Sequence, residues 1–115
     1  MSNNTNLRWV TKSFTELNTN ELYDLLKLRS EVFVVEQKCI FLDIDNNDRK
    51  AFHTIGFIGD EVVATTRLFD KDIMYDGYQS IGRVVSASKH RGLGIGKALM
   101  PVSYTHLTLP TIYSV

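Results

Sequence analysis

Residues 51–69 read AFHTIGFI, then GD, then EVVATTRLF. Two runs rich in β-branched and aromatic residues, separated by Gly59-Asp60, are the mark of a β-hairpin closed by a two-residue turn. Nothing else in the chain restricts its fold so tightly. Consecutive antiparallel strands exclude a purely parallel sheet, so any sheet here is all-antiparallel or mixed.

The elements around the hairpin narrow the choice. Leu7 to Phe14 has the composition of a first strand. Asn18 can cap a helix, Glu21 stands at the capping-box position, and Leu17 with Leu22 occupies the hydrophobic-staple positions. Leu22, Leu25, Leu26, Arg29, Val32 and Phe33 then follow helical spacing, predicting a helix from Thr19 to about Ser30. SEVFVVEQ either continues that helix or forms a second short one. Downstream of the hairpin, QSIGRVVSA (residues 79–87) reads as a further strand, and a glycine-rich loop leads into a second helix. The predicted fold class is α/β, more closely α+β: a mixed sheet with helices on its faces.

A chain of 115 residues is one small domain. Thirteen basic and thirteen acidic side chains balance, so charge does not point to nucleic acid or an anionic membrane. The single cysteine, Cys39, excludes an internal disulfide and fits a reducing compartment. No apolar run approaches the ~20 residues of a membrane span, and the N-terminus lacks a signal-peptide core. The expected location is the cytoplasm.

The chemistry concentrates in RGLGIGK, Arg91 to Lys97, between a strand and a helix. Successive backbone N–H groups at a helix start make an anion cradle, helped by the helix dipole and by glycines that let a phosphate approach closely. Two nucleotide motifs fail here. A P-loop needs glycine where Arg91 stands and Ser or Thr where Ala98 stands. The dinucleotide fingerprint needs a third glycine where Lys97 stands, with an acid about 20 residues on.

Arg91-x-x-Gly94-x-Gly96 resembles the R/Q-x-x-G-x-G/A signature of the GNAT acetyltransferases, with IGRVVSASKH similar to that family's fourth strand. LRSEVFVVEQKCIFLDIDNND, followed by His53, resembles the ElaA-like group within it. The likeness runs from about Leu7 to Met100. It implies the GNAT acyl-CoA N-acyltransferase fold and acetyl-CoA as co-substrate, with no metal. The pyrophosphate would sit on the backbone of Arg91, Gly92, Leu93, Gly94, Ile95, Gly96 and Lys97. The pantetheine arm would pair with Val84, Val85 and Ser86 like an added strand. A primary amine would attack the thioester directly, its proton passing to a carboxylate or a water chain. The partners expected are therefore acetyl-CoA and an amine acceptor, not nucleic acid or membrane. Two other readings stay open: a non-catalytic module binding coenzyme A or another phosphate ligand, and a structural domain whose glycines only make a tight helix entry.

Single residues carry less. Glu36 is the weak candidate for a catalytic base, and a structural role near a helix end is as consistent with its position. Asp43, Asp45 and Asp48 suggest a calcium loop, but Asp48 occupies the position that requires glycine and Thr54 the one that requires glutamate. Cys39 reads as a buried, inert thiol and His53 as a hydrogen-bonded structural histidine. Arg83 either binds substrate or pairs with an acid. Tyr75 and Tyr78 precede the fourth strand with no reason to prefer either as an acid.

The last residues read differently. Pro101 is expected to break the second helix, at a cost of about 3 kcal/mol inside it. VSYTHLTLPT (Val102 to Thr111) resembles a translated transposase-end sequencing adapter. Residues 1–100 are thus expected to be the N-terminal portion of a GNAT domain and 101–115 a non-native tail. On that expectation the chain is an inactive fragment, its fifth strand missing and its fourth an exposed edge.

Overall fold

A computed structural model of the chain describes residues 7–38, 42–87, 95–106 and 112–114. Strand β1 (Leu7–Ser13) leads into helix α1 (Thr19–Arg29), whose last turns widen into a π-helical segment, Ser30–Glu36. Then come β2 (Phe52–Ile58), β3 (Glu61–Phe69), β4 (Gln79–Ser86), helix α2 (Ile95–His106) and a short β5 (Ile112–Ser114). The strands lie in the order β1-β2-β3-β4-β5, antiparallel except for the parallel β4–β5 pair. This is the mixed α+β sheet predicted from the hairpin.

Local chemistry accounts for the elements. The Asn18 side chain accepts from the Glu21 amide at 2.8 Å and the Glu21 carboxylate accepts from the Asn18 amide at 3.0 Å, completing the capping box. The helix then runs past the predicted Ser30 in π form, with the Gln37 amide donating to the Val32 carbonyl five residues back. At the hairpin tip Gly59 takes φ +61°, the conformation that a turn joining Ile58 to Glu61 asks of it. Gly56 has a different reason to be glycine. Trp9 lies across it from β1, and a Cβ there would stand 2.7 Å from the indole ring.

The core joins Leu25, Leu28 and Val32 of the first helix to Ile55, Val63, Ala64 and Val85 of the sheet and to Ile95 and Leu99 of α2. Along β3, alternate side chains serve opposite faces. Thr66 meets Ser103 of α2, hydroxyl to hydroxyl at 2.9 Å, whereas Arg67 turns to the face where Arg29 of α1 lies.

Two expectations about the C-terminal part are corrected. Helix α2 does not stop at Pro101. The ring is exposed, and the helix is held by Ile95, Leu99 and Ser103, spaced four apart and all at most 2% exposed on the sheet. The Ser103 hydroxyl also donates back to the Leu99 carbonyl at 2.8 Å. Burial on one face thus outweighs one missing helix hydrogen bond. Nor is β4 a wholly open edge, since β5 pairs with Gln79, Ser80 and Ile81. Helix α2 is the crossover that a parallel neighbour needs. Among the described residues no strand borders the outer edge of β4, the side away from β3, from Gly82 to Ser86.

Candidate active site

The strand at the centre of the site is irregular. In the β3–β4 ladder Thr65 faces Val85 but Arg67 faces Gly82, so β4 uses one residue more than β3 over this stretch. The surplus is a β-bulge at Arg83–Val84, and Arg83 takes φ +49°, left-handed backbone seldom occupied by a long L side chain. A bulge re-aims backbone groups out of the ladder. Here it does so where the outer edge of β4 has no neighbouring strand among the described residues.

A cleft of about 470 Å³ opens at this bulge, bounded by Gly82, Arg83 and Val84 on the strand. Phe33 reaches it from the π-helical segment, Arg67 and Phe69 from β3, and Met74 and Tyr75 from the connection before β4. The π-helical widening shapes one wall, since it leaves Val32 buried in the core and Phe33 at the cleft. The walls are largely aromatic and apolar, with charge confined to Asp45, Arg67 and Arg83, the composition of a small-molecule site.

That charge belongs to a larger lattice of three arginines and three aspartates. Arg29, 1% exposed, donates from Nε to Asp43 at 3.1 Å and from Nη1 to Asp48 at 2.7 Å. Arg67 grips Asp45 through Nη1 and Nη2 at 2.8 and 3.2 Å and reaches Asp48 at 3.2 Å. Arg83 lies with Nε 2.9 Å from Asp43 Oδ1 and Nη2 3.2 Å from Asp45 Oδ2. The acidic loop is therefore engaged by cations of the protein itself, which accounts for its carboxylates. Burial alone would raise the Asp45 carboxyl, but hydrogen bonds from Arg67 and the Asn47 amide, with the Arg67 and Arg83 charges, hold it below its usual range. A carboxylate so held is a poor proton acceptor.

His53 takes the structural alternative. It is fully buried, its Nε2 lies 2.9 Å from the Asp48 carbonyl, and burial pushes its pKa below the ordinary value despite that bond. Arg83 likewise pairs with acids. Of the two tyrosines Tyr75 lines the cleft; the Tyr78 amide bonds the Tyr75 carbonyl at 3.2 Å. Val84 faces the cleft, Val85 is buried in the core and Ser86 is half-buried at the strand end. Glu36 ends the π-helical segment and lines a separate cleft of about 550 Å³ with Asp24, Glu31, Glu61 and Ala87. Ile95 is buried at the start of α2, which also contains Gly96 and Lys97. Arg91, Gly92, Leu93, Gly94 and Cys39 lie outside the described residues.

The bulge and the place of Phe33, Arg67, Phe69 and Met74 in the cleft were not read from the sequence, and of the arginine–aspartate lattice only the pairing of Arg83 with an acid was. Gly82, a glycine inside a strand pattern, was the one available signal of a bulge.

No family model matches the sequence. ElaA of Escherichia coli K12 is 38% identical over 96 residues, which make up 82% of this chain and 62% of that protein. The chain spans about three fifths of the length of the curated relatives it matches. An acyl-CoA N-acyltransferase from Pseudomonas aeruginosa, in its crystal structure, is 39% identical with a TM-score of 0.86, over 94% of this chain and 77% of that one. The crystal structure of Escherichia coli ElaA matches at 35% identity and a TM-score of 0.85, over 94% of this chain and 76% of that one. Alike in sequence and in fold to these proteins, the chain belongs to the ElaA-like group of the GNAT N-acetyltransferases.

Proposed function

We propose that the protein is an acetyl-CoA-dependent N-acetyltransferase acting on a primary amine by direct attack on the thioester. The observation that carries this reading is the bulge at Arg83–Val84 in a stretch of β4 whose outer edge meets no strand among the described residues, opening on an aromatic cleft. An extended thioester arm laid along the outer edge of Val84, Val85 and Ser86 would add to that edge as a further strand. An N–H that the bulge turns out of the ladder would polarise the acyl oxygen. The backbone of residues 91–97 would take the pyrophosphate, with Ile95, Gly96 and Lys97 opening α2 beneath it.

Acetyl-CoA supplies the activated acyl group when bound. The amine nitrogen forms the new bond to the acyl carbon, the carbon–sulfur bond breaks, and the amine's surplus proton leaves through a base. Asp45 is unsuited to that part because two arginines hold it. A water chain is the better acceptor, and Tyr75, in the cleft wall, would donate the proton to the leaving thiolate.

The test is a thiol-release assay with acetyl-CoA and a panel of amines, run on a full-length relative and on the 115-residue chain. Stoichiometric release of coenzyme A and acetylated amine by the relative is the expected result. The shorter chain is expected to bind acetyl-CoA more weakly, since among the described residues β5 borders β4 at Gln79, Ser80 and Ile81 alone. Binding by the relative without turnover on any amine would favour a coenzyme A sensor, and no binding at all would refute the proposal.

A further inference from the structure

We propose that the acidic loop is a clamp for the β4 bulge, with Asp43 and Asp45 as positioning residues that act through Arg83. The inference deepens the acyl-transfer reading and rests on it for its functional consequence. It starts from a conformational oddity. Arg83 has a Cβ, yet it takes φ +49°, a backbone state that persists in such a residue only when the surroundings over-determine it.

The surroundings here are specific. Two carboxylates about forty positions earlier in the chain hold the Arg83 guanidinium, Asp43 Oδ1 at 2.9 Å and Asp45 Oδ2 at 3.2 Å, and Nη2 donates to the Asp43 carbonyl at 3.3 Å. Both carboxylates are themselves anchored. Arg29 of α1 holds Asp43 through Nε to Oδ2 at 3.1 Å and through Nη2 to its carbonyl at 2.9 Å. Arg67, which faces Gly82 across the β3–β4 ladder, holds Asp45 with both terminal nitrogens. The clamp thus ties the bulge to α1 on one side and to β3 on the other. Buried ion pairs are an inefficient source of stability, but they fix register well, because a shifted partner leaves a charge unpaired. One residue of slippage in β4 would remove the bulge and turn Val84 to the opposite face.

The alternative is that Arg83 is there to touch a substrate, and glycine separates the two. Glycine takes φ +49° freely and needs no clamp, whereas alanine has the disfavoured Cβ and no guanidinium. The 115-residue chain is made as wild type, Arg83→Ala, Arg83→Gly and Asp43→Asn/Asp45→Asn, the last also combined with Arg83→Gly. Acetyl-CoA affinity is measured by calorimetry, and the Val84 amide is followed by its ¹H–¹⁵N shift and its hydrogen exchange. Arg83→Ala and the double asparagine variant are expected to weaken binding about tenfold, the lower end of the loss known for partners that orient metal ligands. Arg83→Gly is expected to bind about fivefold more tightly than Arg83→Ala and to recover part of the loss in the asparagine background. The Val84 amide should move in the alanine and asparagine variants and return in both glycine variants.

Equal losses in alanine and glycine would overturn the proposal, as would a Val84 amide indifferent to Arg83→Ala. If the wild type binds no acetyl-CoA, the failure belongs to the proposed function. The Val84 measurements then still decide whether the clamp holds the bulge.

Discussion

Removing the Asp48 carboxylate should reveal how strongly the arginine–aspartate lattice contributes to the fold. Asp48 is 5% exposed and accepts from Arg29 at 2.7 Å and from Arg67 at 3.2 Å. Arg29 and Arg67 are themselves 1% and 5% exposed, so Asp48→Ala leaves three arginines against two aspartates with little water to compensate. Breaking a buried pair by deleting one partner costs about 3–5 kcal/mol. The remaining bonds from Arg29 to Asp43 and from Arg67 to Asp45 place the expectation near the lower figure. At roughly 0.05–0.15 kcal/mol per residue, 115 residues carry about 6–17 kcal/mol in all, so this one carboxylate accounts for a sizeable share. In urea, with a slope of about 1.5 kcal/mol/M, the midpoint should fall by about 2 M. The companion variant is Arg29→Met/Asp48→Leu. It leaves Arg67 with Asp45 and Arg83 with Asp43, a balanced set, and the Asp43 carbonyl keeps the Arg83 donor. Apolar replacement of a whole buried pair is often neutral, so the double variant should lie within about 2 kcal/mol of wild type, well short of the two single losses added together. An Asp48→Ala cost below about 1 kcal/mol, or strict additivity in the cycle, would refute the reasoning.

Three further outcomes follow from other contacts. Gly56→Ala should cost about 1–3 kcal/mol in chemical denaturation, because its Cβ would stand 2.7 Å from the Trp9 ring, and trimming Trp9 to Leu in the same chain should recover part of the loss. Asn18→Ala should cost about 1 kcal/mol by the same measurement, since the Glu21 amide loses its cap at the start of α1. His53 is held neutral by burial, with its pKa below the ordinary 6.5. Its contribution is complete above that value and declines as pH falls below it toward the lower folded pKa, where the unfolded chain binds the extra proton. Thermal melts from pH 8 to pH 5 should show that decline, and His53→Gln should flatten it.

Which features could be read from the sequence follows from the range of the forces that set them. The hairpin at Gly59-Asp60 and the Asn18–Glu21 cap were legible because turn and cap chemistry are decided within four residues. The acidic loop was legible only in part, its spacing arguing against calcium without saying what its carboxylates do instead. Asp43, Asp45 and Asp48 meet Arg29, Arg67 and Arg83 from 14 to 40 positions away, and nothing in local spacing indicates those pairs. Pro101 shows the converse error, a local rule overridden by packing. A proline in a helix interior is unfavourable, but Ile95, Leu99 and Ser103 bury one face of α2 and decide the matter.

The β4 bulge is the most instructive omission, because it exists only as a mismatch between two strands. Neither EVVATTRLF nor QSIGRVVSA contains a surplus residue when read alone. The surplus appears when Thr65 is set against Val85 and Arg67 against Gly82. Its location then depends on a third party, the loop carrying Asp43 and Asp45, which gives Arg83 a reason to stay at φ +49°. An alternating pattern reports which face of a strand is buried, and it is blind to a conformation imposed from forty residues away. The acidic loop and the fourth strand, which look unrelated in the sequence, are on this argument one functional unit.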